Sequence, residues 1–109
     1  MTNVFIERRL DLKKGGEVSV RFLRPEPDIE GDWHCDIELE WPDRRQALRI
    51  FGIDAIQALL LAMQGARCEL VSSPESAAGE LTWLGEREFG LPVMAAPACP
   101  KNGHPEKVE

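Results

Sequence analysis

The clearest order in the chain is a strict alternation over residues 33–41. Trp33, Cys35, Ile37, Leu39 and Trp41 share one side, and His34, Asp36, Glu38 and Glu40 the other. A period of two over this length predicts a half-buried β-strand. Residues 17–24 follow the same rule, with Val18, Val20 and Phe22 against Glu17, Ser19 and Arg21. Residues 4–12 repeat it less regularly through Val4, Phe5, Ile6, Leu10 and Leu12, and Lys13-Lys14-Gly15-Gly16 supplies a hairpin turn between these two strands. Pro25, Pro27, Asp28, Gly31 and Asp32 predict an exposed loop. After a turn at Pro42-Asp43, residues 44–51 return as a fourth strand with Leu48 and Ile50 inward and Arg45, Ala47 and Arg49 outward.

The period then changes. Residues 53–64 predict a helix rich in Ala, Leu, Met and Gln, with Asp54 in the first turn and Gly65 as its stop. Asp54, Gln57 and Gln64 fall within about 80° of one another, with Leu61 inside the same stripe; the rest of the circumference is apolar. One sheet face covers only part of such a helix, so either the C-terminal segment or a second subunit must cover the remainder. Residues 68–71 predict a short strand, 74–78 about one helical turn ended by Gly79, and 81–84 a last strand. Beyond Gly85, Pro92, Pro97, Pro100 and Pro105 interrupt regular structure; residues 91–98 read as an extended apolar cover and 99–109 as a flexible tail.

These elements predict an α+β domain over residues 1–98, an antiparallel sheet of five or six strands with one principal helix on one face. Its expected core is Val18, Val20, Phe22, Trp33, Cys35, Ile37, Leu39, Leu48, Ile50, Ile56, Leu59, Leu60, Met63, Leu81 and Trp83. At 109 residues, the chain should bury roughly 65% of its unfolded surface. No apolar run approaches the ~20 residues of a membrane span, and the N-terminus lacks the apolar stretch of a secretory signal. Cys35, Cys68 and Cys99 are odd in number and widely spaced, which predicts reduced thiols and a cytoplasmic setting.

Charge changes the picture most. The formal net charge is −6, which argues against nucleic acid and anionic membrane as partners. Residues 25–43 alone carry −8, between segments of +3 at 1–24 and +3 at 44–51. Asp36, Glu38 and Glu40 should face the arginines of the next strand, which explains much of this run as cross-strand pairing. The remainder is the loop acids Glu26, Asp28, Glu30 and Asp32.

Two segments, Gly52-Ile53-Asp54-Ala55-Ile56-Gln57-Ala58-Leu59-Leu60-Leu61-Ala62-Met63 and Leu81-Thr82-Trp83-Leu84-Gly85, resemble a family of small uncharacterised bacterial proteins classed as a domain of unknown function. Its pattern is similar to G-[IV]-D-x-x-Q-A-L-x-L-A followed by a T-W-L-G-like strand. The resemblance implies a bacterial, cytoplasmic origin and no particular activity.

Candidate chemistry is sparse. His34 and Cys35 point to opposite faces of one strand, and Cys99 and His104 lie in the Pro-rich tail, so neither pair predicts a zinc site. With two histidines, a nucleophile–base–orienter triad is not expected, and Gly15-Gly16 lacks the Lys-Ser/Thr of a phosphate loop. Asp36, Glu38 and Glu40, about 7 Å apart, are compatible with acid–base work or a divalent cation, with a paired surface as the simpler account. Asp54 and Gln57 look least like plain structure. They read either as a first-turn acid with a solvated amide or as buried groups bonded to the last strand or a partner subunit.

No catalytic, cofactor or metal residues are expected. The reading is a small bacterial non-catalytic interaction module, with a homodimer through the over-apolar helix at Leu61 as a separate expectation; one concrete version is an immunity- or antitoxin-like protein. That version would dock a basic partner through Glu26, Asp28, Glu30, Asp32, Asp36, Glu38 and Glu40. The alternative is a small-ligand binder or enzyme with a pocket between the helix and the C-terminal segment.

Overall fold

The structure, a computed structural model, describes residues 4–29 and 31–93. Glu30, Cys99, His104 and the expected tail lie outside the described residues.

The alternating segments form β1 (Val4–Leu12), β2 (Glu17–Leu23), β4 (Trp33–Glu40) and β5 (Arg45–Gly52), an antiparallel meander. Gly15 and Gly16, with φ of 112° and 99°, make the first turn possible. The expected loop contains a two-residue strand, β3 (Glu26–Pro27), which pairs with Trp33 and His34. Because β5 occupies one edge of β4 along Trp33–Glu40, β3 must lie on the other edge, continuing the line of β2.

The helix α1 (Ala55–Val71) then crosses the sheet. A short α2 (Pro74–Ala77) follows, and β6 (Leu81–Thr82) pairs with the far end of β1 at Asp11 and Leu12. The result is the expected α+β fold, a six-stranded antiparallel sheet with one main helix.

Cross-strand register sorts the side chains into two faces. Leu10 opposes Val18, Val20 opposes Leu39, Phe22 opposes Ile37, and Cys35 opposes Ile50. All of these are buried, and they form the helix-side core together with Trp41, Leu70, Leu81 and Phe89. Glu7, Arg9, Arg21, Asp36, Glu38, Glu40, Arg45 and Arg49 occupy the opposite face.

Three expectations fail, each for a physical reason. First, Gly65 does not stop the helix, and residues 68–71 are its last turn rather than a strand. Gly65 is itself buried, on the sheet-facing stripe with Ala58, Ala62, Ala66 and Leu70. The capping N–H of Ser72 closes onto the Cys68 and Leu70 carbonyls.

Second, the helix is turned away from the expected orientation. Its buried stripe consists largely of alanine and glycine, whereas Ile56 is 78% and Leu60 44% exposed; neither belongs to the core as expected. Leu59, Leu61 and Met63 are half-buried at the flanks. Small side chains let the helix axis approach a sheet already filled by Val, Phe and Ile, and the close approach is visible at Gly52. A Cβ there would lie 2.8 Å from Ala58 Cα and 2.9 Å from the Gln57 carbonyl carbon.

Third, the three cysteines do not share one state. Cys68 is disulfide-bonded. Cys35 is a free buried thiol, pushed up to about 12 by burial and then by the neighbouring Asp36 charge.

Candidate functional site

The start of α1 explains the residues that looked least structural. Asp54 is the N-cap, and its Oδ1 accepts the Gln57 backbone N–H at 2.8 Å. Gln57 Oε1 in turn accepts the Ile53 N–H at 2.8 Å. The two side chains thus satisfy helix-end donors reciprocally, much as in a capping box. Asp54 is exposed and Gln57 half-buried, and their hydrogen bonds are local rather than to the last strand.

The face that reads as acidic in the sequence is largely neutralised. Asp36 receives Arg49 through two bonds of 2.7 and 2.9 Å. Arg21 bridges Glu7 and Glu40 at 3.0 Å each, so Glu40 is held from β2 rather than by the Arg45 that it opposes on β5. Glu38 stands opposite Arg21 and Ala47 in register. These bonds hold the Arg21 and Arg49 guanidiniums above their ordinary pKa, chiefly through Glu40 and Asp36 respectively.

The loop acids gather around His34. This side chain does not stand on an exposed face as its register suggests; it is only 9% accessible. β3 folds over it, placing Glu26 Oε1 4.0 Å from Nε2 and Asp28 Oδ1 3.6 Å from Nδ1, while Phe51 meets the ring edge-on. Asp28 and Asp32 close a tight turn, with the Asp28 N–H donating to the Asp32 carbonyl at 2.6 Å. At its tip Ile29 is 95% exposed. Among the described residues, no group of three His, Cys, Asp or Glu side chains is arranged to hold a metal ion.

One polar junction was not anticipated. Arg8 opposes Val20 and so lies on the apolar side of β1. Its guanidinium stacks 4.0 Å from the Trp83 ring centre and donates to the Phe89 and Gly90 carbonyls at 2.9 and 3.0 Å. Trp83 is oriented by a two-residue turn whose central Leu84 and Gly85 both have positive φ, 54° and 84°, as a type I′ turn requires. Gly90 is required here, because a Cβ would come within 2.8 Å of Arg8 Nη1 and of the Trp83 ring. The Thr-Trp-Leu-Gly segment therefore builds a dock for Arg8, which ties residues 83–90 to the sheet. The visible signal in the sequence was a lone arginine between Ile6 and Leu10 at period two. Beside this junction lies a cavity of about 260 Å³ lined by Ile6, Phe22, Met63, Leu91 and Pro92 among others.

The last candidate surface is the outward stripe of α1. Ile56 at 78% and Leu60 at 44% stand exposed opposite the alanine stripe, with Ile53 exposed just before the N-cap; toward the C-terminal end Gln64 and Arg67 separate them from the exposed Val71. Leu61, the residue expected on this surface, instead packs at the edge of the core.

A small α+β domain, a six-stranded antiparallel sheet crossed by one main helix, is the class this geometry defines. The chain belongs to a domain family of unknown function, DUF6968, which matches residues 6–93. No curated protein and no solved structure matches it. No helix among the described residues is long and apolar enough to cross a membrane.

Proposed function

We propose that the domain is a non-catalytic protein-interaction module that docks through the outward face of α1. The observation that carries this reading is the exposure of Ile56 and Leu60 on a helix whose opposite face is already packed, with Ile53 exposed just before its N-cap. Monomeric proteins bury large aliphatic side chains where they can, and contiguous exposed ones mark docking surfaces. A photo-crosslinking residue at position 56, used in the native host, should give a discrete adduct that Leu60→Asp removes. Absence of any adduct would overturn the reading.

An immunity- or antitoxin-like version, docking a basic partner, is supported mainly at the 26–32 loop. That loop carries Glu26, Asp28 and Asp32 in sequence about the exposed Ile29, with Glu26 and Asp28 beside His34, whereas Asp36 and Glu40 already have arginine partners. The cavity beside Met63 and Leu91 favours a second reading, a small-ligand binder with its pocket between helix and C-terminal segment. In that case Met63→Trp would abolish ligand-induced thermal stabilisation. The proposed cytoplasmic setting rests on the free Cys35 and loses the support of Cys68.

A further inference from the structure

We infer that Cys99 closes the disulfide of Cys68, and that residues 94–98 are thereby strapped across the outward side of the C-terminal half of α1, a cover that opens on reduction. This is independent of the interaction-module reading, which concerns Ile56 and Leu60 in the other half of the helix.

The partner of Cys68 follows by elimination. The chain has three cysteines; Cys68 is disulfide-bonded and Cys35 is a free thiol, which leaves Cys99. Closing the bond joins the two Sγ atoms and releases two protons and two electrons. A low-molecular-weight disulfide takes these up and becomes two thiols; a reducing dithiol reverses the step.

The route follows from where the described chain ends. Leu91 and Pro92 line a cavity together with Ile6, Phe22 and Met63, which puts them on the β1 side of α1. At 3.6 residues per turn Cys68 lies about 140° from Met63 around the helix, on the flank it shares with Leu61. The arc that faces the sheet is filled by Ala58, Ala62, Gly65, Ala66 and Leu70. The way from Pro92 to Cys68 therefore leads over the outer arc, past Gln64 and Arg67. The six steps from Val93 to Cys99 reach about 20 Å when extended, and a disulfide adds about 5.5 Å between Cα atoms. That is enough to cross a helix about 10–12 Å thick. The crossing segment, Met94-Ala95-Ala96-Pro97-Ala98, carries no charge, and Pro97 favours extended backbone before it.

The helix itself is covered at this level. A helix on one sheet face normally turns its far side to solvent, yet none of residues 61–70 is exposed. Arg67 points outward by its position in the helix, but its side chain is only 23% exposed and its Nε is fully buried. Glu88, 3.7 Å from Nη2, is itself 76% exposed and does not account for that burial. Ile56 and Leu60, nearer the N-terminal end, remain exposed.

The test begins with peptide mass spectrometry of the non-reduced full chain, alkylated after unfolding. Cys68 and Cys99 should appear as one linked pair within a chain of monomer mass, and Cys35 as the one alkylated cysteine. A diazirine side chain at position 64, close to glutamine in size, should then crosslink to residues 94–98. The yield should fall about tenfold or more when the protein is reduced or carries Cys99→Ser. Native far-UV circular dichroism is expected in both cases, because the core is complete without Cys99. Cys68 found free, or linked to Cys35 or to a second chain, overturns the pairing. Adducts from position 64 that miss residues 94–98 overturn the strap, and a yield unchanged by reduction overturns its dependence on the bond. None of these outcomes bears on the adduct expected from position 56.

Discussion

Gly52→Ala isolates the contact that sets how closely α1 lies on the sheet. The new methyl carbon would sit 2.8 Å from Ala58 Cα and 2.9 Å from the Gln57 carbonyl carbon. Both are backbone atoms, so no rotamer change relieves the overlap. Ordinary carbon contacts need about 3.5–4.0 Å, so the first turn of the helix must move by roughly 1 Å. Overpacking of this kind costs about 1–3 kcal/mol. The shift also strains the Asp54–Gln57 cap, at 2.8 Å in both bonds, whose loss adds about 1 kcal/mol. Against this, replacing glycine reduces the entropy of the unfolded chain and returns about 0.4–1 kcal/mol. Gly52 lies outside the left-handed region, so backbone strain adds nothing. The net expectation is a loss of about 2–3 kcal/mol, a large share of the 5–15 kcal/mol of a typical domain. Urea unfolding at fixed protein concentration should show it as a lower midpoint with an unchanged slope, and the melting temperature should fall by roughly 10–20 °C. A variant within about 0.5 kcal/mol of the wild type would refute the argument that the alanine stripe exists to permit this approach.

Arg8→Met keeps an apolar stem but removes the donors to Phe89 and Gly90 and the stacking on Trp83; it should cost about 2 kcal/mol and make residues 83–93 the first site of limited proteolysis. Arg44 clamps Glu75 through bonds of 2.8 and 3.0 Å and holds its carboxyl below the usual carboxylate range. A carboxyl depressed in the folded state contributes stability above its unfolded pKa and loses it as pH falls through the folded value. The stability difference between wild type and Glu75→Gln should therefore be full at neutral pH and shrink toward zero in acid; a difference independent of pH would contradict it. Cys35, with its thiol pushed up to about 12, should resist a thiol reagent at pH 8 in the native state and react at once on unfolding.

The strands were legible because alternation is a local property. β1 begins and ends at the expected residues, and β4 and β5 lie within one residue of their expected limits. The turn at Gly15-Gly16 and the short helix before Gly79 follow from the backbone freedom of glycine and the fixed φ of proline, which need no distant contact. Of the candidate site, the cross-strand reading of the acidic run was half legible. Asp36 finds Arg49 on β5, but Glu40 takes Arg21 from β2, and a pattern along one strand does not say which neighbour's long side chain reaches it. His34 looked exposed because its own strand puts it outward; only the return of β3 over that end of the sheet buries it.

By itself, then, the sequence determined the four long strands, their antiparallel meander and the existence of one dominant helix, since each rests on residues close in the chain. It also marked Asp54 and Gln57 as unusual without deciding between a local role at the helix start and a bond to a distant segment. The tertiary structure alone decided the orientation of that helix. Large aliphatic side chains lie almost all round it, so its local periodicity permits several burials, and hydrophobicity alone favours Ile56 and Leu60 inward. The sheet surface was already filled by Val18, Phe22, Ile37 and Ile50, and contact between the backbones of Gly52 and Ala58 left space only for alanine and glycine. Close packing selected the smaller face and turned the larger one outward, where its occupant becomes the question of function.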